Sequence, residues 1–298
     1  MHAMDITHVA IGIISARNPD GLRETLTALQ SLTFTAHSAP TLSILVAGIE
    51  AAGPTASTAQ SFGNVTYLHE PTPGIAPARN KILDHLPEGA QLVAWIDDDT
   101  RPSAEWLAEL LKTRAETNAA IVLGTITAHL PADAPDWVQA GGFFNRRRFS
   151  DRAPLLEGVN NSLMDIAVIH ANKLRFTTDS GSTSASDAVF LRSAARKGLQ
   201  MAWTPAATST EYIPLARCSL GWLFNLNFRI GAMLGRSAWK VEGMAMGFKR
   251  LGEGMGEVVR GILFLPIGLF AVNQGVRSLL QIAMGCGVIL GAFGYRPR

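Results

Sequence analysis

Two cysteines in 298 residues, Cys218 and Cys286, are too few and too far apart to frame a disulfide network or to supply the repeated spacing of a zinc site. A reducing, cytosol-facing setting is the expectation. Charge is also scarce, with Asp, Glu, Lys and Arg at 17% where about 25% is usual. Together with 47% apolar residues and a mean hydropathy of +0.17, this leans toward a membrane-associated protein. No Gly-x-Gly-x-x-Gly follows the first apolar run and no Gly-x-x-x-x-Gly-Lys-Ser/Thr occurs anywhere, so a dinucleotide oxidoreductase or a P-loop nucleotidase loses its main support. Nor does any Lys/Arg run alternate with aromatics in the first 235 residues, and the net charge is only +2, so nucleic acid is not expected as a partner. The run Arg146-Arg147-Arg148 reads as a solvated loop, with contact to a phosphate-bearing substrate as the alternative. Val9–Ile14 is too short for a signal-peptide core and reads as a buried first strand.

What is present is a regular alternation. Apolar runs at Val9–Ile14, Leu42–Ala47, Val65–His69, Leu92–Ile96 and Ile121–Ile126 read as strands, bounded by turn residues. Between them, Pro19–Leu32, Ala76–Leu86 and Ser103–Asn118 carry helical spacing, the last with Ser103 as its N-cap. This is the pattern of an α/β domain with a mostly parallel sheet flanked by helices. From Leu130 to Ser186 the pattern loosens into long loops covering a site; Asp187–Lys197 is helical again and Met201–Trp203 is a short strand.

The C-terminal part differs in kind. Residues 1–235 hold 18 Lys+Arg against 21 Asp+Glu and residues 236–298 hold 8 against 3, so a net charge of −3 is followed by one of +5. We therefore divide the chain into a catalytic domain, 1–235, and a basic, apolar helical tail, 236–298. Within the tail, 16 uncharged residues lie between Arg260 and Arg277, broken by Pro266, and 18 between Arg277 and Arg296, broken by four glycines. Each falls short of a comfortable ~20-residue span. They suit two helices lying in or dipping into the headgroup boundary, with Arg250, Arg260 and Arg277 at anionic lipid. The alternative is a buried helical hairpin or dimer seam through Gly287–Gly291.

The sharpest chemical signal is Asp97-Asp98-Asp99, directly after the apolar strand Leu92–Ile96, at the carboxyl end where open α/β sheets place ligands. Three adjacent carboxylates repel, and a divalent cation with hard oxygen ligands would relieve them. In an extended chain Asp97 and Asp99 point the same way, one toward a ribose or a metal-bound water, the other to the metal. The competing reading is capping of the helix near Ser103. A phosphatase of the Asp-x-Asp-x-Thr/Val type is a rival, but Arg101 stands where it needs Thr or Val.

These residues, in order, resemble glycosyltransferase family 2, and within it the bacterial exopolysaccharide-type transferases that extend polyprenyl-diphosphate-linked sugars. The resemblance covers about residues 8–235 and, more weakly, the tail. It is carried by Gly12–Pro19, by Glu70–Asn80 with Pro-Gly-Ile-Ala-x-x-Arg-Asn, and by Ile96–Pro102 followed by Trp106-Leu107. Gly124, Pro135–Trp137, Asn160-Asn161, Gly181–Asp187 with Phe190–Arg192, and Glu211–Pro214 with Arg217, Trp222, Arg229 and Gly231 continue it.

The resemblance implies a GT-A fold, a nucleotide-sugar donor, Mg²⁺ or Mn²⁺, and inversion at the anomeric carbon. It places Ser15, Arg17, Arg79, Asp97 and Asp98 on the donor, the metal at Asp97 and Asp99, and the catalytic base at Asp187, for which an N-cap on Asp187–Lys197 is the plainer role. Arg79 or Arg17 would stabilise diphosphate or orient the base. Asn161, Arg217 and Trp222 fall on the acceptor side, with packing or a turn as their plainer roles. The expected partners are a nucleotide-sugar, a polyprenyl-diphosphate-linked or glycan acceptor, and membrane lipid through the tail, at the cytoplasmic face of a bacterial inner membrane. The chain departs from the family at Ala47, where an acidic residue commonly reads uracil, and at Ser184–Ser186, where Gly-Glu is usual.

Overall fold

The computed structural model of the chain describes residues 6–34, 39–145, 158–177, 183–239 and 243–295, so Arg146-Arg147-Arg148 lies outside the described residues. Its strands are β1 (His8–Ile14), β2 (Thr41–Gly48), β3 (Val65–His69), β4 (Leu92–Asp97), β5 (Thr100–Pro102), β6 (Ile121–His129), β7 (Ser162–Asp165) and β8 (Met201–Tyr212). Its helices are α1 (Pro19–Leu29), α2 (Pro54–Gln60), α3 (Ile75–Asp84), α4 (Trp106–Thr117), α5 (Asp136–Gly141), α6 (Ile166–Ala171), α7 (Thr183–Arg196), α8 (Leu220–Ser237), α9 (Met244–Phe264) and α10 (Val272–Ala292).

The described strands form one sheet in the order β3-β2-β1-β4-β7-β6-β8-β5. Its first half is parallel, as the βαβ alternation requires. The second half is mixed: β7 runs antiparallel to β4 and β6, β5 runs antiparallel to β8, and β6 pairs parallel with β8. Among the described strands the sheet is therefore mixed with parallel pairings in the majority, four against three antiparallel. The expected loop region between Leu130 and Ser186 contains β7 at the sheet centre, which four residues ending in Asp165 do not announce as an apolar run.

Alternating side chains of the inner strands bury on opposite faces. Val9, Ile11 and Ile13 with Leu92, Ala94 and Ile96 pack with α1 and α4 side chains. Ala10, Val93 and Trp95 face the α3 and α7 side. Gly12, paired with Trp95, has no room for a side chain, because a Cβ there would lie 2.7 Å from the Trp95 ring. Helix α4 starts three residues later than expected. Ser103 is not its N-cap: the Ser103 N–H donates to Thr208 O and its carbonyl accepts from Trp106 N, so residues 103–105 form a turn and Glu105 occupies the cap position without a side-chain bond.

By internal compactness the chain divides into two units. The first contains the sheet, α1–α4, α6 and α7 from Ser186; the second contains α5 and the chain from Ile213 onward. In the second unit α10 is sandwiched between α8 and α9, and the seams are glycine. A Cβ at Gly231 or Gly235 of α8 would strike the backbone of Met284 or Val288, and one at Gly287 or Gly291 of α10 would strike Phe228 or Ala232. Gly287 and Gly291 thus serve a seam within the chain. Cys218, also here, is buried, and burial with the nearby Asp133 carboxylate pushes its thiol above the usual range, so it stays protonated and inert.

Candidate active site

The strand β4 ends in Asp97, the chain turns through Asp98 and Asp99, and β5 begins at Thr100. The triplet is a tight turn and not an extended segment, so the expected same-side alternation of Asp97 and Asp99 does not apply. It does not cap α4 either, since that helix begins at Trp106. Each carboxylate is held differently. Asp98 Oδ2 accepts a 2.6 Å bond from Ser15 Oγ, while the Asp98 carbonyl accepts from Thr25 Oγ1 at 3.2 Å and from Asn18 Nδ2 at 3.4 Å. Asp99 Oδ1 accepts from Thr100 Oγ1 at 3.2 Å, and its carbonyl takes the Tyr212 N–H at the end of β8. Asp97 Oδ1 faces Arg79 Nη2 at 3.4 Å.

Arg79 joins the triplet to Asp187. The same Nη2 lies 3.2 Å from Asp187 Oδ2, although Arg79 is only 1% exposed. Its guanidinium lies against the rings of Trp95 and Phe176, 5.5 and 5.3 Å from their centroids, and those two rings meet edge to face at 5.7 Å. Among the described residues Nε and Nη1 have no hydrogen-bond partner. A charge this buried persists only when paired, and here one nitrogen serves two carboxylates. Asp187 itself is 4% exposed and lies inside α7, which begins at Thr183, so it is not an N-cap. Its Oδ2 also accepts the Val159 N–H at 3.1 Å, and Oδ1 lies 3.3 Å from Ser186 Oγ.

Asn160 braces the acidic turn, a role its place in the sequence does not announce. Its Oδ1 accepts the Asp97 N–H at 3.1 Å and its Nδ2 donates to Thr100 Oγ1 at 3.0 Å. Its neighbour Asn161, expected on the acceptor side, turns its side chain into the interior. It is fully buried in a left-handed conformation (φ 58°), donates to Thr125 O, Ala207 O and Ser209 Oγ, and accepts Trp106 Nε1 at 2.7 Å. All its side-chain capacity is engaged in fastening β6, β8 and α4 together. Ser15 likewise does not present a donor contact: it is 2% exposed and its hydroxyl holds Asp98. Arg17 is exposed in the loop between β1 and α1. Arg217 and Trp222 belong to the second unit, where the guanidinium lies 5.7 Å from the Trp222 ring and that ring stacks on Phe144.

Beside the sheet, Ala47 is buried at the end of β2, and Tyr67 Oη donates a 2.6 Å bond to the Glu50 carbonyl. Burial and the Glu50 carboxylate hold the Tyr67 phenol above its usual pKa, so it remains a donor. Among the described residues no group of three or more His, Cys, Asp or Glu side chains is arranged to hold a metal ion. The acidic turn does have the donor set for a hard cation of the Mg²⁺ type, which usually takes one or two carboxylates and completes its shell with water and substrate phosphate oxygens.

The family model described as Glycosyl transferase family 2 matches residues 13–165, from β1 through β7. Succinoglycan biosynthesis protein ExoM of Rhizobium meliloti (strain 1021) is 28% identical over 299 residues, covering 97% of this chain and 94% of its own. Among solved structures, the mannosyltransferase PcManGT of Pyrobaculum calidifontis, in complex with GDP-Man and Mn²⁺, superposes with a TM-score of 0.62 at 13% identity, over 94% of this chain and 86% of that one. S. aureus TarS 1-349 in complex with UDP-GlcNAc gives a TM-score of 0.53 at 12% identity, over 93% and 90%. At these identities the two structures show a shared fold.

Proposed function

Since the chain belongs to glycosyl transferase family 2 and has the GT-A fold, it is a glycosyltransferase, and we propose that it moves a hexose with inversion from a nucleotide-sugar, a UDP-sugar first, to a lipid-linked or polysaccharide acceptor. The observation that carries this reading is the buried guanidinium of Arg79 between Asp97 and Asp187, which couples the donor end of β4 to the carboxylate assigned as base. Asp187 accepts the acceptor hydroxyl proton as the oxygen attacks the anomeric carbon and the nucleoside diphosphate departs. Arg79 is a positioning residue that fixes the Asp187 carboxylate in one rotamer, and the Val159 N–H fixes it from the other side. Arg17 supplies an exposed cation to the phosphates. Asp97 and Asp99 would hold Mg²⁺ or Mn²⁺, which when bound neutralises charge on the departing diphosphate. Ser15, Asn160 and Thr100 keep that turn in shape, with Asp98 its inward-held member and the candidate ribose contact.

The relative ExoM is named for succinoglycan biosynthesis, which supports a glycan acceptor; that it is polyprenyl-diphosphate-linked is part of the proposal. We place the enzyme at the cytoplasmic face of the bacterial inner membrane as a peripheral or monotopic protein, with lipid met by the tail from 236 to 298. Supporting this are the tail's excess of 8 Lys+Arg over 3 Asp+Glu and its exposed apolar side chains. Arg217 and Trp222 form a cation–aromatic shelf suited to an acceptor sugar or its diphosphate.

The deep burial of Asp187 favours a second reading, a catalytically weak member that binds nucleotide or glycan within a membrane assembly complex. Incubation of the full chain with labelled UDP-sugars, Mn²⁺ and a polyprenyl-diphosphate glycan separates the two. Transfer that Asp187→Asn reduces by about 10²–10⁴-fold, with UDP affinity retained, supports the transferase. Binding without turnover for every donor supports the second reading.

A further inference from the structure

Helix α9 is packed inside out, whereas α10 buries Val276, Leu280 and Val288 beside its small residues. The buried residues of α9 are Gly247, Gly254 and Gly261, one every seven positions, while its large apolar side chains face outward. A water-soluble helix buries its large apolar stripe and leaves glycine elsewhere, whereas small residues in the seam and large apolar ones outside is the arrangement of helices packed within lipid. The outward surface is densest at the hairpin end: eight of the eleven residues from 262 to 272 are exposed large hydrophobics, among them Leu263 at 69%, Leu269 at 84% and Phe270 at 93%. The two amides of that segment, Asn273 and Gln274, are turned half inward.

Charge marks the depth. No charged residue lies between Arg260 and Arg277, and these two stand at one level of the hairpin, since a Cβ at Gly261 would lie 2.7 Å from Ser278 O. Arg277 is tied there by a 2.7 Å bond to Gly141 O and lies over the Phe143 ring. Beyond that level each arm has eight residues, 261–268 and 269–276, and because Leu265–Leu269 is 3-10 helix they reach about 12–16 Å at 1.5–2.0 Å per residue. A single leaflet of hydrocarbon is ~15 Å deep, half of the ~30 Å core.

Among the described residues α10 is the one helix long and apolar enough to cross a bilayer by length and composition. Its further half is packed on backbone at Phe228, Ala232 and Gly254, on helices that carry Arg229, Arg236, Lys249 and Glu253. A crossing would draw those charges into hydrocarbon.

We infer that the tip from 261 to 276 is a monotopic wedge that inserts into one leaflet of a lipid bilayer, with Arg260 and Arg277 at the phosphate level and both ends of the hairpin on the same side. The inference rests on the reading of the tail as membrane-associated and names the inserted segment, its depth and its topology. Purified full-length chain is floated with vesicles of phosphatidylethanolamine and phosphatidylglycerol. The wild type is expected to float, and the double substitution Leu269→Glu, Phe270→Glu to float about tenfold less, with unchanged circular dichroism. In a Cys286→Ser background, an NBD probe on Phe270→Cys is expected to shift to the blue on vesicles, and to be quenched more by acyl-chain than by headgroup spin labels. Probes on Met244→Cys and Tyr295→Cys are expected to stay reactive to an impermeant maleimide from outside sealed vesicles.

An unshifted NBD probe, flotation indifferent to the two glutamates, or a Tyr295 position protected from the outside reagent each overturns the wedge. A dimer that the glutamates dissociate, with the probe unshifted on vesicles, assigns the face to a second copy and overturns it as well. None of these readouts requires sugar transfer, so they fail or succeed apart from the transferase reading.

Discussion

At the scale of single residues, the account turns on one nitrogen of Arg79 serving two carboxylates from a site 1% exposed. Removing it leaves Asp187 buried without its cation, so Arg79→Ala is expected to cost about 3–5 kcal/mol in denaturant unfolding. Arg79→Lys keeps a charge but not the planar fork held against Trp95 and Phe176, and is expected to unfold near the wild-type midpoint while losing kcat at unchanged KM for the donor. A purely structural arginine would move stability and leave kcat alone. Asn161 is the opposite case, fully buried and bonded on every side. Asn161→Asp sets a carboxylate against the Thr125 and Ala207 carbonyls and is expected to lower the melting temperature steeply, with no selective effect on acceptor KM in whatever folds. The acidic triplet was legible from its place directly after the apolar strand Leu92–Ile96, whereas Asp187 was reached only through the family resemblance. Arg79 was legible as a cation near the site but not as the link between its halves, because Trp95 and Phe176 come from strands and loops 81 positions apart in the chain.

At the scale of elements, β1, β2 and β4 with α1 and α3 could be read from apolar runs because each of these three strands is buried on both faces and carries five or more apolar or small residues in sequence. β7 is four residues long and β5 three, and both owe their place to pairing partners distant in sequence. Ser103 looked like a cap because its residue type is right, but the extension of β8 to Thr208 claims its N–H. One ion pair joins the end of α3 to the segment after α6: Arg175 meets Asp84 in a bidentate contact at 2.6 and 2.8 Å, and the Arg175 bond holds the Asp84 carboxyl below its usual pKa. A lowered carboxylate pKa means the unfolded chain binds the proton more readily. The contribution is therefore complete above about pH 4, the unfolded value, and is lost as pH falls through the lower folded value. Both side chains are about half exposed, so solvent screening limits it to about 0.5 kcal/mol. Asp84→Asn is expected to flatten the acid limb of the stability profile by that amount, measured by urea unfolding from pH 2.5 to 6.

At the scale of the whole molecule, the tail is read from its composition but its internal order is not, because a run of glycines in sequence does not say which backbone each will meet. Deleting 255–298 would release membrane attachment as expected, but it would also strip α10 from the Gly231 and Gly235 face of α8. Substitution at the tip is therefore the cleaner test of attachment, and Gly235→Leu is expected to disrupt the α8–α10 seam and yield insoluble protein without touching the lipid-facing side chains. The central claim, that the turn after β4 grips a nucleoside diphosphate together with a divalent ion, is tested most directly by calorimetric titration of UDP into the full chain with and without Mn²⁺, repeated for Asp99→Ala. The account predicts binding that weakens about tenfold or more when either the ion or the Asp99 carboxylate is removed, with the two losses not adding. Binding of equal strength with and without Mn²⁺ in both proteins, or no binding of UDP or GDP by the wild type, would contradict it.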